Sequence, residues 1–170
     1  VYVDLNTVHN PATGTVAPAL WGDQIRDNFE FLIDSPACSV FNSGAQSVAS
    51  STNTILTADS EREDNDSMHS TVTNTSRITV QTAGRYLFIA NVQFQDNTGT
   101  RVVTDFLQNG ATIVGGDVSV AVGGGTDDRK SICRLWRMAA TDYMEVRVNQ
   151  NSGVNRNVTL HEFSAVFITR

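Results

Sequence analysis

Lysine is almost missing from this sequence: Lys130 stands alone, and the arginines are scattered. A protein that holds nucleic acid neutralises phosphates with clustered Lys and Arg. Nucleic acid is therefore excluded as a partner. The formal net charge of −6 and the pI near 4.9 also argue against an anionic membrane surface. Cysteine is nearly as scarce. Cys38 and Cys133 form no C-x-x-C pair, so no zinc framework is visible. One disulfide and two separate buried thiols both remain open. No apolar run approaches the ~18–20 residues of a membrane span. No basic, then apolar, leader opens the chain. The expectation is a product without membrane insertion, either soluble or assembled into something from inside a cell.

Charge is low as well, at 18 %, and hydrophobic residues reach only 40 %. Thr, Ser, Asn and Gly make up much of the rest, a mixture that suits strands and tight turns better than helices. The 170 residues allow a single domain with a short appendage and enough buried surface to fold without staples.

Residues 1–36 differ from the remainder. Pro11, Gly14 and Pro18 punctuate a stretch without periodicity, read as an extended arm. Trp21, Ile25, Phe29 and Leu32/Ile33 then recur at helical spacing and share one face. Asp23 is expected near the positive end of this helix, and Pro36 stops it. Such a short helix is marginal alone in water, so its stripe must dock on its own domain, a second subunit or a larger assembly.

Beyond residue 37 the pattern is strand and turn. Candidate strands are 39–41, 53–57, 77–81, 85–95, 101–108, 111–114, 117–122, 131–138, 143–149 and 160–169. Asn109-Gly110 is a strong hairpin signal. Short strands at regular spacing predict an all-β sandwich or barrel. Two strands are apolar on both faces. Tyr86 and Phe88 oppose Leu87 and Ile89; Phe163, Ala165 and Phe167 oppose Val166 and Ile168. A two-layer sandwich buries only one face of each strand. Something must cover the other, which predicts an oligomer.

Two resemblances follow from particular residues. Thr82-Ala83-Gly84-Arg85-Tyr86-Leu87-Phe88, Ala140-Thr141-Asp142-Tyr143-Met144-Glu145-Val146 and Phe163-Ser164-Ala165-Val166-Phe167 resemble strands of the C1q and tumour-necrosis-factor jelly-roll superfamily. Thr141 replaces that superfamily's usual Gly. Ala19-Leu20-Trp21-Gly22-Asp23-Gln24-Ile25-Arg26-Asp27-Asn28 is similar to the W-G-D/N-x-V/I-R-D helix that opens many tail, fibre and head-decoration proteins of tailed phages. The run from Asp59 through Glu61, Asp64, Asp66, Met68 and His69 to Ser76-Arg77-Ile78-Thr79-Val80 and Gly84-Arg85-Tyr86 also resembles those proteins. The resemblance implies a homotrimeric jelly-roll carried on a virion.

Chemistry finds little footing. Glu61, Glu63, Asp64 and Asp66 are the dense carboxylate cluster; Ca²⁺ is one reading and a solvated loop bonded to backbone amides the other. His9, His69 and His161 lack metal-ligand spacing. No G-x-S-x-G elbow occurs, and Gly123-Gly124-Gly125 lacks the residues of a phosphate loop. Trp136, among arginines, reads as core, as interface, or as a stacking platform for a sugar.

The expectation is therefore a non-enzymatic, antiparallel jelly-roll sandwich at 37–170, with an arm and anchoring helix at 1–36. Tyr86, Phe88, Phe163, Val166, Phe167 and Ile168 are the expected trimer contacts. Trp21, Ile25, Phe29 and Leu32 are the expected virion anchors. The expected role is capsid decoration or a fibre knob on a virion surface; the alternative is a tail receptor-binding protein holding a host glycan or surface protein. Loops 95–100, 123–130 and 149–156 are expected to face outward.

Overall fold

The computed structural model describes residues 19–95, 101–120 and 127–170, without the side chains of 19–21 and 120. It divides into two compact units, Val1–Pro36 and Ala37–Arg170. The described part of the first is α1 (Ala19–Ile33). Because α1 begins at Ala19, Asp23 lies beyond its first turn, a correction to the expected place at the positive end. Asp23 instead accepts a hydrogen bond from Arg26 at 3.0 Å, and Asp27 accepts another at 3.2 Å. These pairs are exposed to solvent, which screens them, so they contribute little to stability.

The second unit comprises β1 (Ala37–Phe41), β2 (Gln46–Val48), β3 (Thr54–Ile55), β4 (Ser60–Asp64), β5 (Arg77–Thr79), β6 (Gly84–Phe94), β7 (Arg101–Gln108), β8 (Thr112–Val120), β9 (Asp128–Met138), β10 (Tyr143–Gln150) and β11 (Arg156–Thr169). One sheet runs β4-β1-β11-β6-β9, with β2 also on β11; the other runs β3-β10-β7-β8, with β5 on β10. Neighbouring strands pair antiparallel throughout. The first and last strands lie side by side, and the chain crosses repeatedly between sheets. This is a jelly-roll sandwich.

Strand alternation builds the core. Tyr86, Phe88, Ala90, Val92 and Phe94 of β6 point inward and are fully buried, as are Phe163 and Ala165 of β11 and Phe106 of β7. Phe88, Phe106 and Phe163 meet with ring centroids 5.9–6.3 Å apart. Phe167 meets Tyr86 edge-on at 5.4 Å. The Tyr86 hydroxyl donates to the Thr82 carbonyl at 2.7 Å, so this buried ring leaves no polar atom stranded.

Three sequence expectations change. The separate strands expected at 111–114 and 117–122 form one strand, β8, because Gly115 and Gly116 stay in the ladder opposite Phe106 and Asp105. Ser60–Asp64 is an edge strand, not a loop: it pairs with β1 and exposes Glu61, Arg62 and Glu63. Charge on a sheet edge resists stray pairing, so these residues are useful there despite poor strand propensity. Residues 128–130, expected in a loop, begin β9. Asn109 and Gly110 adopt positive φ of 52° and 70° and turn β7 into β8, as Asn-Gly pairs do.

β7 is buried on both sides, with Val103, Asp105 and Leu107 on its outer face. Arg147 of β10 pairs with Asp105 at 2.5 Å, and Arg77 pairs with Glu145 at 3.2 Å. The Arg77 guanidinium also lies 3.9 Å from the Tyr143 ring centroid. These side chains roof β7, whereas Ile113 and Val118 of the neighbouring β8, opposite Leu107 and Val103, stay exposed.

Gly116 makes that roof possible. A Cβ there would overlap Asp105 Oδ1 and come within 2.5 Å of the Thr104 carbonyl. Gly116→Ala should cost about 1–3 kcal/mol in chemical denaturation, because backbone cannot yield cheaply. Gly44→Ala, with nothing within 4 Å, should fall within about 0.5 kcal/mol of the parent.

Candidate functional site

The outer face of the β4-β1-β11-β6-β9 sheet follows from the same alternation. Every β6 and β11 residue that points in leaves its neighbour pointing out. Leu135, Leu87 and Val166 form a continuous row across β9, β6 and β11, ending at Ala37 of β1. The next row is Cys133, Ile89, Ser164 and Ser39. Leu135 is 53 % exposed, Ile168 52 %, Val166 40 % and Ile89 36 %. Singly exposed aliphatics are ordinary, but a contiguous apolar patch in mid-sheet marks a surface that meets something.

The opposite end of this face is polar. Ser131 Oγ donates to Asn91 Oδ1 at 2.6 Å, and Arg129 Nε donates to Gln93 Oε1 at 2.5 Å. Arg62 pairs with Glu162 at 2.7 Å and lies 4.3 Å over the Phe41 ring. A depression of about 270 Å³ lies here, lined by Asn91, Arg129, Ser131, Leu160 and Glu162 among others. Its polar groups largely hold each other, an arrangement suited to a structured rim and not to proton transfer.

The structure divides the expected trimer contacts. Val166 and Ile168 lie on the outer face. Tyr86, Phe88, Phe163 and Phe167 point the other way and are enclosed by their own chain, from 0 to 9 % exposed. Those four are corrected to core residues, because the strand period puts them between the sheets. Leu135 was missed. It alternates with Arg134 and Arg137, which masks it, and only the β6–β9 register brings it beside Leu87. Of the expected anchors, Phe29 and Leu32 are 60 % and 68 % exposed, Ile25 is half-buried, and the Trp21 side chain lies outside the described residues.

The acidic run serves its own loop. Asp64 accepts from the backbone N–H groups of Met68 and His69 at 2.8 and 2.9 Å. Glu61 Oε1 lies 2.8 Å from Nδ1 of the buried His69 ring, whose Nε2 lies 3.2 Å from the Thr75 carbonyl. Burial pushes the Asp66 carboxyl above the usual range, against a hydrogen bond from Thr82. Among the described residues, no group of three or more His, Cys, Asp and Glu side chains is placed to hold a metal ion; His9 lies outside them.

The two thiols are separate: Cys38 is buried and Cys133 is exposed on the outer face. Burial, aided by Asp64, holds the Cys38 thiol far above its ordinary range and makes it unreactive. Trp136 is half-buried, and its indole N–H donates to Gln108 Oε1 at 3.0 Å, tying the two sheets together. Of the loops expected to face outward, 96–100 and 123–126 lie outside the described residues. The third turn is shorter than expected, since Asn149 and Gln150 end β10 and Arg156 starts β11. The buried Gln150 amide fastens it, donating to the Val48 and Val154 carbonyls at 3.1 and 2.8 Å.

No protein-family model matches the sequence, and no curated protein matches it. Solved structures do. The globular domain of zebrafish complement 1qA superposes with a TM-score of 0.58 at 15 % identity, over 80 % of this chain and 99 % of that one. Murine APRIL at pH 5.0 gives 0.57 at 13 % identity, over 78 % and 98 %. Eiger TNF from S. frugiperda gives 0.52 at 16 % identity, over 79 % and 94 %. The fold is the C1q/TNF-like jelly-roll.

His161, buried at the inner face of β11, supplies a test of this packing. Its Nδ1 lies 3.2 Å from the Thr57 carbonyl, its Nε2 has no partner among the described residues, and burial lowers its pKa to about 4. The unfolded chain binds this proton near pH 6.5, so it holds more protons than the folded one between the two values. Stability present above pH 6.5 should fall as pH drops toward 4, by roughly 3 kcal/mol for this group. Urea midpoints of the parent and His161→Gln, compared at pH 7.5 and 4.5, should show the variant losing less on acidification.

Proposed function

We propose that this chain is a non-catalytic attachment module that works as a homotrimer, with the outer face of the β4-β1-β11-β6-β9 sheet turned toward the shared axis. One observation carries this reading: the row Leu135–Leu87–Val166 leaves aliphatic surface open to water on one side of a sheet already packed on the other. The side chains are partly covered within the monomer, so each gains less than the ~1.5–3 kcal/mol of complete burial. Together, and repeated in every subunit, they suffice for a stable contact. A jelly-roll of this type implies the same assembly.

The setting we propose is the surface of a phage particle, as capsid decoration or a fibre knob fastened through residues 1–36. It rests on the likeness of the Trp21-to-Asn28 segment and of the acidic run to virion proteins. Gold labelling of particles should put the protein over the head or the fibre tip, and absence from purified particles would remove this setting.

Light scattering should give a particle close to three times the 18.5 kDa of the chain. Val166→Glu should convert it to a folded monomer, since the charge would be desolvated at the contact. Cys133 gives an independent readout. Its reaction with a thiol reagent should be at least tenfold slower in the parent than in the Val166→Glu protein. A parent monomer with rapidly titrated Cys133 would overturn the assembly.

A further inference from the structure

We propose that α1 is a stalk: the exposed stripe of each helix packs against the same stripe in the two sister copies, forming a parallel three-helix bundle. This rests on the trimer proposed above.

The stripe is unusually open. Phe29 is 60 % exposed, Leu32 68 % and Ile33 84 %. Ile25, Phe29 and Leu32 are spaced four and then three residues apart, the step of a coiled-coil seam. The charges lie away from that seam. Arg26 bonds Asp23 and Asp27 and lies 3.7 Å from Glu30, so this side satisfies itself in water. A 15-residue helix is too short to persist unaided, and a lone turn of Phe29, Leu32 and Ile33 in water would weaken it further.

Chain connectivity selects the occupant. Asp34, Ser35 and Pro36 join α1 to β1, a tether of at most ~14 Å from Ile33 to Ala37. Ala37 pairs directly with Val166, at the centre of the apolar patch. A trimer closed around that patch gathers three such tethers near one axis. The sister helices are thereby held at high effective concentration, and a seam too weak for free peptides becomes sufficient.

Leu32→Cys, made in the full chain with the exposed Cys133 replaced (Cys133→Ser, the parent for this test) and oxidised with copper phenanthroline, tests this. Leu32 is exposed, so the variant should fold as the parent does. The expected result is a disulfide-linked dimer on a non-reducing denaturing gel, with Glu30→Cys, on the opposite side of the helix, and the parent remaining uncrosslinked. Light scattering on the same samples separates the two ideas. A trimer in which Leu32→Cys stays uncrosslinked overturns the bundle alone and leaves the stripe to a partner on the particle. A monomer overturns the trimer and the bundle with it.

Discussion

The structure depends on one geometric constraint: a strand turns successive side chains to opposite faces, so a strand that is apolar throughout must be covered twice. β6 and β11 are such strands. Their inward sets, Tyr86 to Phe94 and Phe163 to Phe167, make the core of the sandwich. Their outward sets, Leu87, Ile89, Val166 and Ile168, are left at the centre of the other face. A one-residue register slip cannot hide both sets, because it merely exchanges them. Self-association, as proposed above, would cover the second set.

The two sheets meet the same problem differently at their central strands, although Ile113 and Val118 of β8 are also exposed, at 55 % and 59 %. β7 also has an outer row of bulky residues, yet that row is buried, because Arg147 and Arg77 extend over it from their carboxylate partners Asp105 and Glu145. Long charged side chains cover apolar surface with their stems while their heads stay hydrated. Among the described residues of the second unit, the sheet carrying Val166 has no such roof in its apolar half. Its arginines lie at the rim, Arg62 and Arg129 engaged with Glu162 and Gln93 and Arg85 and Arg137 beyond Leu87 and Leu135.

The fold was legible where a short-range rule governs. The alternation of β6, the Asn109-Gly110 turn and the double apolarity of β11 each depend on residues a few positions apart. What needed register was hidden. Leu135 joins Leu87 only across a ladder between β6 and β9, and its flanking arginines make β9 read as a polar strand. β4 was hidden for the reverse reason: Ser60–Asp64 has a loop composition, but a sheet edge tolerates and even favours charge. Asp64 and His69 belong to the same class, since only the backbone path shows the carboxylate capping the amides of residues 68 and 69.

The helix follows the same logic from the other end of the chain. A face that stays open in the monomer is a cost unless a fixed neighbour arrives to cover it. In the proposed trimer the sister copies would provide that neighbour without any further recognition, because every copy brings an identical stripe on a short tether. The two apolar surfaces then act as one device. If the sheet faces close as proposed, they would concentrate the helices, and bundled helices would in turn hold the sheet faces together. Linked contacts of this kind strengthen each other by limiting the separation available to either one.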